Sequence, residues 1–89
     1  MNSVDFFKCL SNEIRMTIVE VVLESEMISV TEISDQLKLK QSTVSHHLAI
    51  LRKTGIIKNT KHGTWVYYSI SSELKNIIRD LLVEVGKLN

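Results

Sequence analysis

The stretch QSTVSHHLAILRKTG, residues 41–55, decides the fold. Val44, Leu48 and Leu51 recur at i, i+4 and i+7, the spacing of one buried helical face, so a helix is expected over 42–54. Gly55 follows as a helix stop. Upstream, SVTEISDQLK (residues 29–38) opens with Ser29-x-x-Glu32, a capping box, and then offers Ile33 and Leu37 to a core. A short connection at about Leu39–Gln41 separates the two helices. Two short helices joined in this way, the second closed by glycine, form a helix-turn-helix over about residues 31–54.

Downstream, IIKNTKHGTWVYYSI (residues 56–70) holds two β-rich runs, 56–60 and 64–70, around Lys61-His62-Gly63. Gly63 supplies the positive φ of a tight hairpin, and the hairpin is read as a wing. Upstream, Val4, Phe7 and Leu10 are spaced for a short helix. A second helix carries Ile14, Ile18, Val21 and Val22, with Ser11 or Asn12 as its N-cap. The tail, a helix over about 73–87, bears a stripe of Leu74, Ile77, Ile78, Leu81, Leu82, Val85 and Leu88. So broad a stripe exceeds what a small core absorbs, and a second copy of the chain is the natural cover. The expectation is one mainly helical winged helix-turn-helix domain over 1–89, built as four helices, a β-hairpin and a fifth helix, and paired as a homodimer.

Composition narrows the function. No apolar run approaches the ~20 residues that cross a bilayer, and the first residues lack the zones of a secretory signal. The lone Cys9 permits no intrachain disulfide. A cytoplasmic protein without a membrane role is expected. Net charge is only +1, but it is unevenly spread. From Gln36 to Ser72 there is no acid, while Lys38, Lys40, Arg52, Lys53, Lys58 and Lys61 give six positive charges. The other segments hold five cations against ten acids. All three histidines also fall in the basic block. This is the electrostatic footprint of a nucleic-acid site.

The paired histidines invite metal or acid–base chemistry. Adjacent helical residues point about 100° apart and do not chelate one ion, and no histidine stands four residues away. No nucleophile, carboxylate pair or glycine-rich cradle accompanies them, so no catalytic residue, no metal site and no cofactor is assigned. Ser42, Ser45 and His46 share a face away from the core, with Gln41 and Thr43 beside them. Short hydroxyls, an amide and an imidazole suit close approach to base edges. Lys38, Lys40, Arg52, Lys53, Lys58, Lys61 and His62 are assigned to phosphates on either side. His47 flanks the buried face and is read as a packed or capping residue. Trp65, Tyr67 and Tyr68 are read as packing on alternating strand positions rather than as stacking platforms.

FKCLSNEIRMTIVEVVL, the recognition run Gln-Ser-Thr-Val-Ser-His-His-Leu, Leu-Arg-Lys-x-Gly and the wing ending Trp-Val-Tyr-Tyr together resemble the ArsR/SmtB family of winged-helix transcriptional repressors. The resemblance covers roughly residues 4–72. It implies operator binding through the recognition helix and wing, and a dimer interface from the first and last helices, here Val4, Phe7, Leu74, Ile77, Ile78, Leu81, Leu82 and Val85. Departures matter as much. Where many members carry Cys-Val-Cys, this chain has Ser29-Val30-Thr31, and residues 73–89 contain no histidine or cysteine. Cys9 has no partner thiol and is read as a buried, inert residue. Lys40 stands where serine usually caps the recognition helix.

The sequence therefore reads as a dimeric repressor binding a double-stranded operator, an imperfect palindrome, without sensing metal. Two alternatives stay open: a metal- or redox-responsive repressor using an unrecognised site, and a winged-helix protein-interaction module.

Overall fold

Two asparagines start the first two helices. Asn2 accepts from the Asp5 amide at 2.8 Å, and Asn12 accepts from the Arg15 amide at 3.0 Å. A computed structural model describes residues 2–84. Helix α1 runs Ser3–Leu10 and α2 Glu13–Ser25; a two-residue strand β1 (Ile28–Ser29) leads into α3 (Val30–Leu37). Helix α4 spans Gln41–Lys53, strands β2 and β3 span Ile57–His62 and Trp65–Ile70, and a 3-10 turn at Ser72–Leu74 enters α5 (Lys75–Glu84). Val85 and the expected end of the last helix lie outside the described residues.

The capping box forms as read: the Ser29 hydroxyl accepts from the Glu32 amide, and the Glu32 carboxylate accepts from the Ser29 amide. Helix α4 begins at Gln41, one residue earlier than expected, because the Lys40 carbonyl already accepts from the Val44 amide. Its far end is a Schellman turn. Gly55, at φ 85°, donates to the Arg52 carbonyl, and Ile56 donates to the Leu51 carbonyl.

The hairpin is longer than expected. His62 pairs with Trp65, so β2 runs through Lys61 and His62 and the turn is Gly63–Thr64. Gly63, at φ 63°, occupies the first turn position, where two-residue hairpins need positive φ. The strand β1 was not anticipated. Ile28 and Ser29 pair antiparallel with Tyr68 and Tyr67, giving a three-stranded sheet of order β1-β3-β2. Two residues are too few to show a period of their own.

The core joins Ile18, Val19, Val22 and Leu23 of α2 to Ile33 of α3, Val44, Leu48 and Leu51 of α4, and Ile57 and Ile70 of the sheet. On α1 the inward residues are Phe6 and Cys9, while Val4 and Phe7, assigned from the sequence to the dimer interface, are 71% and 59% exposed. One sequence expectation needs correction. On α5 Ile78 and Leu82 are almost wholly buried in the protomer's own core, so neither is open to a partner. Leu74, Leu81 and the 51% exposed Ile77 form the outer part of the stripe. The broad stripe is thus two faces: an inner one at i, i+4 and an outer one beside it.

The link between α2 and β1 is strained. Glu26 sits at φ 65°, ψ −47°, and the Met27 amide donates to the Ser25 carbonyl at 2.7 Å across it. This is a γ-turn with positive φ, a conformation that disfavours a Cβ. Glu26→Gly is expected to raise unfolding free energy by about 1 kcal/mol, because the relieved strain exceeds the entropy that glycine loses on folding. Urea titration of both proteins checks it; an unchanged or lower midpoint contradicts the strained turn.

Candidate nucleic-acid interface

Burial of Val44, His47, Leu48 and Leu51 fixes the rotation of α4. The opposite side presents Gln41, Ser42, Ser45, His46, Ala49 and Arg52, all exposed, with Thr43 half-buried at the flank. Ala49 was not singled out from the sequence. It continues the i, i+3, i+4, i+7 face of Ser42, Ser45 and His46, and its lack of a long side chain keeps that face flat. The side-chain Nε2 of Gln41 donates to the Thr31 hydroxyl at 3.3 Å, which ties the start of α4 to the start of α3.

The N-terminal end of α4 is open. Its N-cap is Lys40, which makes no side-chain cap bond, so the first amides of the helix have no side-chain acceptor. Lys38 and Lys40 are exposed on the turn that leads into this end, Lys38 in the left-handed region at φ 55°. Partial positive charge at a helix start and two lysines beside it make the region attractive to an anion.

Register separates the wing residues. Cross-strand partners share a face of the sheet, so Lys58, Thr60, His62, Trp65, Tyr67 and Ser69 lie on one face. Ile57, Asn59, Lys61, Val66, Tyr68 and Ile70 lie on the other, which packs on the core at its base. Lys58 and Lys61, paired in the sequence reading, therefore straddle the hairpin. The His62 and Tyr67 rings meet edge-on, with centroids 5.7 Å apart. Tyr68 packs against the core as expected, but Trp65 is 58% exposed beside the turn. With Tyr67, Ser29, Thr31 and Glu32 it lines a concavity of about 310 Å³. Thr31 joins this concavity to Gln41 and so to the exposed face of α4. Strand alternation alone gave no sign that Trp65 sits beyond the core.

Lys53 stands apart from the other assigned cations. At the C-terminal end of α4 it shares a groove with Thr54, Gly55 and two carboxylates, Asp5 and Glu73.

The two adjacent histidines have different surroundings. His46 is exposed. His47 is packed, as expected, and its Nδ1 lies 3.3 Å from Nη1 of Arg15. Burial first, then the positive charge of Arg15 and the neighbouring His46, hold its pKa below the ordinary value. The hydroxyls on either side of Val30 are engaged in structure: Ser29 caps α3, and Thr31 accepts from the Gln41 side chain. Among the described residues no three His, Cys, Asp or Glu side chains converge on a metal-sized site. The Cys9 thiol is buried and accepts a long contact from the Thr54 hydroxyl at 3.6 Å.

Residues 12–59 match the model of a family described as "Bacterial regulatory protein, arsR family". The chain is 41% identical over 76 residues to an uncharacterized HTH-type transcriptional regulator of Methanocaldococcus jannaschii, covering 84% of this chain and 85% of that one. Among solved structures it resembles reduced HlyU from Vibrio cholerae at 37% identity and a TM-score of 0.81, covering 93% of this chain and 86% of that one. It also resembles the transcriptional repressor PagR of Bacillus anthracis at 34% identity and a TM-score of 0.78, covering 88% and 90%.

The open cap generates a prediction. Lys40→Ser supplies the missing acceptor and is expected to stabilise the free protein by ~0.5–1 kcal/mol. The same change removes a cation from the helix start and weakens binding to duplex DNA. Thermal melts and DNA titrations of the variant check both halves; equal or lower stability contradicts the uncapped helix.

Proposed function

The chain belongs to the arsR family of bacterial regulatory proteins and is a DNA-binding transcriptional regulator; from this we propose that it acts as a homodimeric repressor that occupies an imperfectly palindromic operator. The observation that carries the proposal is the exposed face of α4, polar and short-chained, between cationic positions on the preceding turn and on the wing. Gln41, Ser42, Thr43, Ser45 and His46 read base edges in the major groove. Lys38, Lys40, Arg52, Lys58, Lys61 and His62 hold phosphates, those on the wing reaching one strand from each side of the hairpin. Lys53, beside Asp5 and Glu73, is the weakest of the assigned cations. Repression by occupancy accords with the likeness to PagR, which is named a repressor.

The exposure of Phe7, Val4 and Ile77 supports pairing through α1 and α5. Phe7, Leu10, Met16 and Leu81 line an apolar concavity of about 280 Å³ beside them. A second copy covers this surface and sets two α4 helices about one DNA turn apart, ~34–36 Å. We read the protein as one domain with no catalytic role, no cofactor and no metal effector. Cytoplasmic residence follows from the DNA partner, and no helix among the described residues is long and apolar enough to cross a membrane.

Two measurements test the proposal. Leu81→Glu places a charge in the outer stripe without touching the buried Leu82, and is expected to give a folded monomer with weak DNA binding. Sedimentation that finds an unchanged dimer contradicts this interface. Substitutions on the DNA face are expected to divide into two classes. Ser45→Ala and His46→Ala lose ~1–3 kcal/mol on a selected duplex and little on a scrambled one. Lys61→Ala weakens both about equally and shallows the salt slope by roughly one unit. Equal losses on both duplexes for all three variants contradict the assignment.

A further inference from the structure

Arg15 projects from the first turn of α2 and bridges two other helices. Its Nε donates to the Cys9 carbonyl at the end of α1 at 2.8 Å, and its Nη1 lies 3.3 Å from Nδ1 of His47 on α4. A guanidinium only donates, so Nδ1 of His47 must be the acceptor and the ring is neutral, with its proton on Nε2. The His47 ring in turn meets the His46 ring edge-on, with centroids 5.2 Å apart and planes at 68°. A continuous set of contacts therefore runs from the end of α1, through Arg15 and His47, to an exposed side chain on the outward face of α4.

We infer that Arg15 is a positioning residue for DNA binding, and that its contact with His47 is a latch which one proton opens. A proton on Nδ1 removes the acceptor and leaves two cations at hydrogen-bond distance. The latch then holds nothing, and α4, still packed on α2 through Val44, Leu48 and Leu51, loses the polar bridge that Arg15 makes from His47 to the end of α1. This inference rests on the reading of α4 as the DNA-facing helix.

The groups acting on His47 are Arg15 from α2 and His46 from its own helix, and both oppose its protonation, as does burial. The latch is therefore closed at neutral pH. Because the folded-state pKa lies below the unfolded value of about 6.5, the contact contributes its full stability above that value. The contribution is lost as pH falls through the lower folded-state pKa.

The test uses the full chain, with ring ¹⁵N spectra recorded without DNA and affinity measured on a duplex selected by the protein from a random pool at pH 7.5. His47→Gln keeps an acceptor for Arg15 but has no proton to take up. Arg15→Gln removes the cation. Three results are expected: His47 in the wild type carries its proton on Nε2; Arg15→Gln moves its titration upward; and between pH 7.5 and 5 the wild type loses about tenfold more affinity than His47→Gln. His46 and His62 are present in both proteins, and the ring ¹⁵N spectra report each imidazole separately. A His47 titration unmoved by Arg15→Gln overturns the latch. Equal pH profiles for wild type and His47→Gln overturn its role in DNA binding. Failure of the wild type to select any duplex overturns the DNA-facing reading instead, and the ring spectra still decide the contact.

Discussion

Val44, Leu48 and Leu51 are almost wholly removed from water, and a helix with three such side chains on one side fits the domain in one rotation only. Each is worth roughly 1.5–3 kcal/mol of burial, so turning α4 by a single residue forfeits several kcal/mol. The outward face is therefore fixed by the core rather than by anything it touches. Ser42, Ser45, His46 and Ala49 face solvent because Val44, Leu48 and Leu51 cannot. The Schellman turn at Gly55 and the capping box at Ser29 then set where the neighbouring elements begin, and the wing follows α4 directly.

Much of this was legible in the sequence, where local chemistry specifies one conformation. Ser29 and Glu32 make a cap whatever surrounds them, Gly55 and Gly63 take positive φ, and the α4 period is unambiguous. Pairs of adjacent apolar residues were not legible. Phe6-Phe7, Ile77-Ile78 and Leu81-Leu82 each offer two helical rotations of similar pattern, and only the packing against α2 and the common core chooses between them. It takes Phe6, Ile78 and Leu82 inward and leaves Phe7 and Ile77 outside. Trp65 was unreadable for a related reason: strand alternation tells which face a residue occupies, not whether the core extends that far along the hairpin. Thr31 and Arg15 were missed because their roles depend on residues distant in sequence, Gln41 and His47.

The charge distribution gains meaning from the fold. The acid-free block from Gln36 to Ser72 becomes the turn before α4, α4 itself and the wing. Two acids from outside the block, Asp5 and Glu73, share a groove with its last helical lysine, Lys53. The hydroxyls of Ser29 and Thr31 stabilise the start of α3 and its link to α4, and Arg15 links α4 to the end of α1. The outward face thus stands on a frame of side-chain contacts to three other helices or helix ends.

The central claim, that DNA is met by the face of α4 opposite Val44, Leu48 and Leu51, is tested most directly by backbone amide spectra recorded while a selected duplex is added. The account predicts that the largest changes fall on residues 38–49 and on the wing around 58–65, while α2 and the buried strand ends change little. Changes centred on α1 and α5, with α4 and the wing unmoved, would contradict it.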